Sequence, residues 1–221
     1  MTPAVHLTLL AVAWSLYGTV HSGLASPVGK AWFKRRFPRR FSAYRLIFNV
    51  IAVVLLVPPL WLLFSYPGER LWQWPGAVRW FADAAAAAAI AAFLWTIRIY
   101  DGGELLGITQ LRRAPRGTDE QAPGLDRSPM QVSWAHRFVR HPWYFLGLVI
   151  IWTREMNAAL LVTAGCLTIY LFLGSRREER DLIARYGERY RYYRERVPAL
   201  FPLPWRYLSR QQADRLRQAS D

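Results

Sequence analysis

The residues able to do chemistry in this chain fall into three polar clusters. The first is Arg140-His141-Pro142-Trp143-Tyr144-Phe145-Leu146-Gly147, where a basic stretch enters an apolar one. Proline suits the first turn of a helix, where its missing N–H costs nothing. His141, just before it, can therefore turn its imidazole away from the helix. Tyr144 and Gly147 follow at i+3 and i+6 and share roughly one helix face with it. Gly147 would admit a flat ligand or another backbone. The second cluster, Arg176-Arg177-Glu178-Glu179-Arg180-Asp181, sets two adjacent carboxylates at the end of an apolar segment. A helix macrodipole disfavours negative charge there, and a cationic ligand or a ribose diol would suit the pair. The third, Tyr186-Gly187-Glu188-Arg189-Tyr190-Arg191-Tyr192-Tyr193, reads as an Arg/Tyr helix along an interface, or as one whose rings cover a bound purine. A plainer reading stands beside these: aromatic anchors, snorkelling Arg and His, and carboxylates paired with their arginine neighbours. His141 and Glu179 are both expected at a helix end, away from the packed core.

The elements that must position these residues show in the hydropathy pattern. Of 221 residues, 53% are apolar and 20% charged, and the two kinds are segregated along the chain. Apolar blocks run over Ala4–Leu24, Tyr44–Phe64, Val78–Ile97, Pro142–Trp152 and Ala158–Leu173. The second would reach ~31 Å as a helix, enough for a hydrocarbon core, with Pro58-Pro59 expected to kink or end it. The alanine run Ala84–Ala89 suits a close-packed helix face. The fourth block is too short to span alone at ~16 Å. It is expected to extend backwards through Trp134-Ala135-His136 and to form an antiparallel hairpin with the fifth across Thr153–Asn157. The first block has no basic region before it and no small-x-small cleavage site, so it reads as a retained helix rather than a signal peptide. The expected fold is an all-α polytopic membrane protein with about five transmembrane helices, a C-terminal helical hairpin and a cytoplasmic amphipathic tail. Its regions are 1–100 (three membrane helices), 101–133 (a cytoplasmic loop), 134–208 (the cofactor-binding hairpin and tail) and 209–221 (a polar tail).

The formal charge is +14. Lys30, Lys34, Arg35, Arg36, Arg39 and Arg40 lie between blocks one and two, whereas only Arg70 and Arg79 lie between two and three. Basic residues return between three and four and again after Ser175. By the positive-inside rule, all three basic regions, the tail among them, face the cytoplasm and the amino terminus lies outside. The excess charge then serves topology and contact with anionic membrane lipids, not nucleic acid. The single cysteine, Cys166, excludes an internal disulfide and a Cys-rich metal site; no metal site is expected. No Walker loop, CxxC, HExxH or GxSxG occurs, and Gly102-Gly103 lacks the context of a dinucleotide turn.

Arg140-His141-Pro142-x-Tyr144-x-x-Gly147, with Glu178-Glu179-Arg180-Asp181-Leu182, Tyr186-Gly187, Tyr190, Tyr193 and Val197-Pro198, resembles the integral-membrane methyltransferase superfamily. That group includes isoprenylcysteine carboxyl methyltransferase and the phospholipid N-methyltransferases. Trp152-Thr153-x-x-Met156-Asn157, Gly107-x-x-Gln110, His21-Ser22 and Tyr44-Arg45-x-x-x-Asn49 are more closely similar to bacterial methanethiol S-methyltransferases. The resemblance implies S-adenosylmethionine as methyl donor, held by Arg140, His141, Tyr144, Gly147, Glu178, Glu179 and Tyr190. It implies a bacterial inner-membrane enzyme whose site faces the cytoplasm and whose acceptor is a small thiol or a lipophilic molecule. A thiol reacts as thiolate, and His21, Asp101 and Glu104 are the candidates to assist. His21, Asn49, Asp101, Glu104 and Gln110 are the expected acceptor surface. A second reading starts from His21-Ser22, which also resembles haem-binding membrane proteins related to denitrification accessory factors and carotene isomerases; axial histidines would then be His21 with His136 or His141.

Overall fold

The computed structural model describes residues 1–97, 102–113, 130 and 132–218. Helix α1 (Pro3–Ala25) starts where the Thr2 hydroxyl accepts from the Val5 N–H and Pro3 fills the first turn. Ser26 closes it and opens α2 (Pro27–Arg36): its hydroxyl donates to the Gly23 carbonyl at 2.6 Å and accepts from the Gly29 N–H at 2.9 Å. Lys34, Arg35 and Arg36 occupy the last turn of α2, where the macrodipole favours cations. A 3-10 turn (Pro38–Ala43) leads into α3 (Tyr44–Ser65). Pro58 and Pro59 do not end α3, which continues through both. Neighbouring helices can re-satisfy what a proline frees in a membrane helix. Here α1 grips the stretch beyond the prolines, with His6 Nε2 2.8 Å from the Leu62 carbonyl.

After a short strand β1 (Arg70–Trp72), α4 (Gly76–Ile97) returns to the basic end. Within its alanine run only Ala86 and Ala89 are buried, at i and i+3, and α4 packs on α7. Two short helices, α5 (Gly102–Leu106) and α6 (Ile108–Arg113), follow. Then come α7 (Pro142–Trp152), strand β2 (Met156–Asn157) and the long α8 (Ala158–Tyr186). Among the described residues four helices are long and apolar enough to cross a membrane: α1, α4, α8, and α3 with its preceding turn. Only 6% of the α3 window is buried inside the protein, so most of its apolar surface is left for lipid. The membrane core forms where Leu10 and Trp14 of α1 meet Ala159 of α8, and Trp14 Nε1 donates to Thr163 Oγ1 at 3.0 Å.

The expected backward extension of α7 does not occur. His141 caps the helix, and the chain before it makes only a 3-10 turn (Ala135–Arg137). Its backbone is used elsewhere: the Arg140 and His141 N–H groups donate to the Pro198 and Ala199 carbonyls at 2.9 and 3.0 Å. Instead α7 sits beside the lower part of α8. Trp152 Nε1 donates to Thr168 Oγ1 at 3.0 Å, and Thr168 lies about ten residues, or ~15 Å, below the start of α8. The connector 153–157 makes up the remaining depth. Part of its backbone is met from the loop between α3 and α4, as irregular backbone at membrane depth requires. Arg70 pairs with Asn157 and Trp72 with Met156 in an antiparallel ribbon. The Ala158 N–H donates to the Glu69 carbonyl, and Trp74 Nε1 to the Thr153 carbonyl.

Beyond the membrane helices the tail builds its own core. Tyr190 and Tyr193 of α9 (Glu188–Arg196) pack with Met130, Val132, Val197, Leu208, and Ala213 and Leu216 of α10 (Arg210–Gln218). This core draws residues from both sides of the divisions placed at 133/134 and 208/209.

Candidate active site

The site is built by a proline and a helix end. Pro142 starts α7, which leaves Arg140 and His141 in an extended segment pinned to the tail and aimed at α8. Residues 178 and 179 of α8 diverge by roughly 100° around the axis, so the two carboxylates have different surroundings. Glu179 turns inward: Arg140 Nε and Nη2 donate to its Oε1 at 2.8 and 2.7 Å, with both side chains 8% exposed. Arg140 Nη1 also donates to the Arg194 carbonyl at 2.9 Å and to the Val197 carbonyl. Glu178 is half-exposed and accepts from the Tyr144 hydroxyl at 3.2 Å.

His141 lies between the two. Its Nε2 is 3.2 Å from Glu179 Oε1 and its Nδ1 3.4 Å from Glu178 Oε2. The Tyr144 ring stacks on the imidazole with centroids 5.1 Å apart. Burial disfavours the imidazolium, but hydrogen bonds and charge from Glu178 and Glu179 outweigh it and hold the His141 pKa above the usual histidine range. His136, whose Nδ1 is 2.7 Å from Ser133 Oγ, goes the other way: burial and then the His141 charge lower it. Arg140 and, when protonated, His141 offset the carboxylates of Glu179 and Glu178.

Of the residues singled out for the methyl donor, Arg140, His141, Tyr144, Glu178 and Glu179 come together. His141 and Glu179, expected away from the core, are each only 6% exposed, because the tail folds over them. Gly147 lies on α7, and a Cβ built there would meet nothing within 4 Å. Tyr190 stands behind Arg140, 2% exposed within the tail core rather than along an interface.

His21 is held in an aromatic nest. Its Nδ1 is 2.7 Å from the Tyr170 hydroxyl, Tyr17 stacks on it at 5.5 Å and Phe48 lies at 4.9 Å. Sequence reasoning missed Tyr170. Its signal was the stripe Tyr170, Gly174, Glu178 at i, i+4, i+8, one face of α8. At its middle a Cβ on Gly174 would lie 4.0 Å from the Tyr144 hydroxyl, so Tyr144 reaches over the stripe between the two groups. Gly18 makes room for Tyr170 from α1, since a Cβ there would lie 2.9 Å from its ring. Asn49 Nδ2 donates to the Leu106 carbonyl at 3.1 Å, fixing α5 to α3. A cavity of about 560 Å³ opens beside it, walled by Phe48, Asn49, Tyr44, Arg45, Lys30 and Leu106 among others. Asp101 lies outside the described residues; Glu104 and Gln110 belong to α5 and α6, with their side chains outside the described set. Among the described residues no group of His, Cys, Asp and Glu could hold a metal ion. Both nitrogens of His141 face carboxylates, a poor arrangement for a haem ligand.

Apolar spanning helices joined to a charged His/Glu/Tyr cluster at one membrane face define an integral-membrane enzyme, and comparison with known proteins gives its class as methyltransferase. The chain is 30% identical to methanethiol S-methyltransferase 2 of Bradyrhizobium diazoefficiens, over 85% of this chain and 70% of that protein. It is 32% identical to the methanethiol S-methyltransferase of Mycobacterium tuberculosis, over 92% and 79%, and 28% identical to that of Pseudomonas deceptionensis, over 85% and 70%. The chain belongs to the methanethiol S-methyltransferase family. No protein-family profile matches it, and no solved structure matches it significantly.

Proposed function

We propose that this protein moves a methyl group from S-adenosylmethionine to a small thiol, methanethiol above all, at the basic, cytoplasmic face of a bacterial inner membrane. One observation carries the reading: the α8 stripe runs from Glu178 to Tyr170, with Gly174 and the Tyr144 hydroxyl between them. The relatives' names supply the acceptor class. The donor fits the residues present. Glu178, half-exposed beside the Tyr144 ring, offers a carboxylate and a π-face to a sulfonium or a ribose, and the open space at Gly147 admits a flat ring. When bound, the donor supplies an electrophilic methyl on sulfonium sulfur.

The chain's own residues then bind, orient and exclude water. Arg140 locks Glu179, Glu179 and Glu178 lock His141, and His141 carries Tyr144 on its face, so the donor side is rigid before binding. Such alignment is the main source of acceleration in an in-line displacement. On the acceptor side Tyr170, backed by His21, presents a hydroxyl to the thiol sulfur. The apolar walls from Tyr17 and Phe48 desolvate the thiolate, and the cavity beside Phe48 is its entrance. The sulfur forms the new S–CH3 bond as the donor's C–S bond breaks, and the thiol proton passes to water or His21. Of the regions drawn from the sequence, 134–208 holds the donor and lends Tyr170 to the acceptor side, and 1–100 with 101–133 supplies the rest of the acceptor surface.

Labelled S-adenosylmethionine with a panel of methanethiol, longer thiols, prenylcysteines and lipid amines tests this. Label is expected in the volatile thioether first. Transfer to lipid amines alone would overturn the thiol assignment, and a Soret band in the purified protein would favour haem.

A further inference from the structure

The face of α8 turned away from the Tyr170–Glu178 stripe presents no group to the reacting atoms above; its Glu179 only holds Arg140 and His141 in place. Phe172, Ser175, Arg176, Glu179 and Arg180 project away from the Tyr170–Glu178 stripe. With tail residues between Arg194 and Arg206 they enclose a cavity of about 660 Å³. Five arginines line it (Arg140, Arg176, Arg180, Arg194 and Arg206) against one carboxylate, Glu179. Arg140 is taken up by Glu179, Arg206 donates to the Arg194 and Glu195 carbonyls, and Arg176 lies 5.0 Å over the Phe172 ring. Arg180 and Arg194 are exposed, and neither guanidinium has an acidic partner among the described residues.

Apart from Ser175, the rest of the wall is apolar: Phe172, Pro198, Ala199, Leu200, Phe201 and Leu203. The cavity also sits at a particular depth. The apolar run of α8 gives way to charge at Ser175-Arg176-Arg177, which marks the membrane surface. Trp205, next in the chain to the lining residue Arg206, is 74% exposed, an aromatic of the type that anchors at membrane interfaces. Surplus guanidiniums beside apolar walls in one cavity match an amphiphile with a phosphate head.

We infer that this cavity binds an anionic phospholipid. Arg180 and Arg194, with Arg176, take the phosphate through charge-assisted bonds, and Phe172, Leu203 and Phe201 take the start of the acyl chains. Basic pockets at the cytoplasmic ends of membrane helices have the charge for such headgroups. A sulfonium donor would meet a cationic surplus here, which separates this site from the Glu178 side. The inference does not depend on the methyl-transfer reading, since lipid retention is measured without turnover.

The test uses the purified full chain in neutral detergent, titrated with phosphatidylglycerol, phosphatidylcholine or inorganic phosphate. Native mass spectrometry and melting temperature are the readouts. Phosphatidylglycerol is expected to be retained at about thirtyfold lower concentration than phosphatidylcholine, the scale set by two surface cations, and to raise the melting temperature. Arg180→Gln with Arg194→Gln should lose that preference while keeping the melting temperature in plain detergent and the S-adenosylmethionine affinity; the paired Lys variant should keep part of it. Equal retention of the two lipids, or an unchanged preference in the Gln pair, overturns the site. Full stabilisation by inorganic phosphate makes it a free-anion site, and displacement of phosphatidylglycerol by S-adenosylmethionine assigns it to the donor; either result overturns the lipid inference.

Discussion

Two adjacent glutamates divide the labour at the site because one residue step of roughly 100° around α8 separates their environments. Glu179 is spent on Arg140 and His141 under the tail, whereas Glu178 keeps half its surface open. Glu179→Gln breaks a buried ion pair and is expected to cost about 3–5 kcal/mol of stability, visible in the melting temperature. Glu178→Gln should leave melting nearly unchanged and weaken S-adenosylmethionine binding by calorimetry; equal melting losses in the two variants would contradict this division. The proton on His141 has its own signature. Because its pKa is raised by Glu178 and Glu179 against burial, its stabilisation is fully present below the unfolded value of about 6.5. It is lost as pH rises through the higher folded value. Wild-type stability should therefore fall with rising pH above about 6.5, and His141→Gln should flatten that slope. The motif residues themselves were legible in the sequence. The unequal burial of Glu178 and Glu179 was not, because it depends on the tail folding back over one face of α8.

At the scale of elements, positions are set by close backbone approaches more than by long contacts. Gly107 joins α5 to α6 with φ of +87°, and a Cβ there would lie 2.7 Å from the Leu46 backbone nitrogen. Gly107→Ala is therefore expected to cost more than about 1 kcal/mol and to loosen α5–α6 from the start of α3, raising the acceptor KM while donor affinity holds. An unchanged melting temperature would show that this approach is not essential. The contrast is Gly147, where a Cβ meets nothing within 4 Å and any effect of Gly147→Ala must come through a bound ligand. Helix α7 teaches the same lesson. Its end at Trp152 was readable from the apolar run, but its start at Pro142 was expected further back, and its depth against α8 follows from Trp152 on Thr168 and from the ribbon that β1 supplies.

For the whole molecule, the loops at one end carry the basic residues, and the other end carries the β1–β2 ribbon with the ion pair between Arg154 and Asp83 at 3.1 Å. Reporters fused after Arg36 or at the carboxyl terminus are expected to read cytoplasmic and one inserted near Gln73 external; a cytoplasmic signal at Gln73 would overturn this orientation. The short α7 with its extended connector completes one crossing between the ends, so the basic regions stay on one side. The sequence by itself determined the apolar spans, the charge asymmetry and the motif residues, because hydropathy and helix-end chemistry are local properties. Only the tertiary structure decided that Tyr170 meets His21, that Tyr190 backs Arg140 instead of lining a surface, and that Glu178 and Glu179 face different spaces. Each of these is a contact between segments distant in the chain, where packing selects the partner and local propensity says nothing of it.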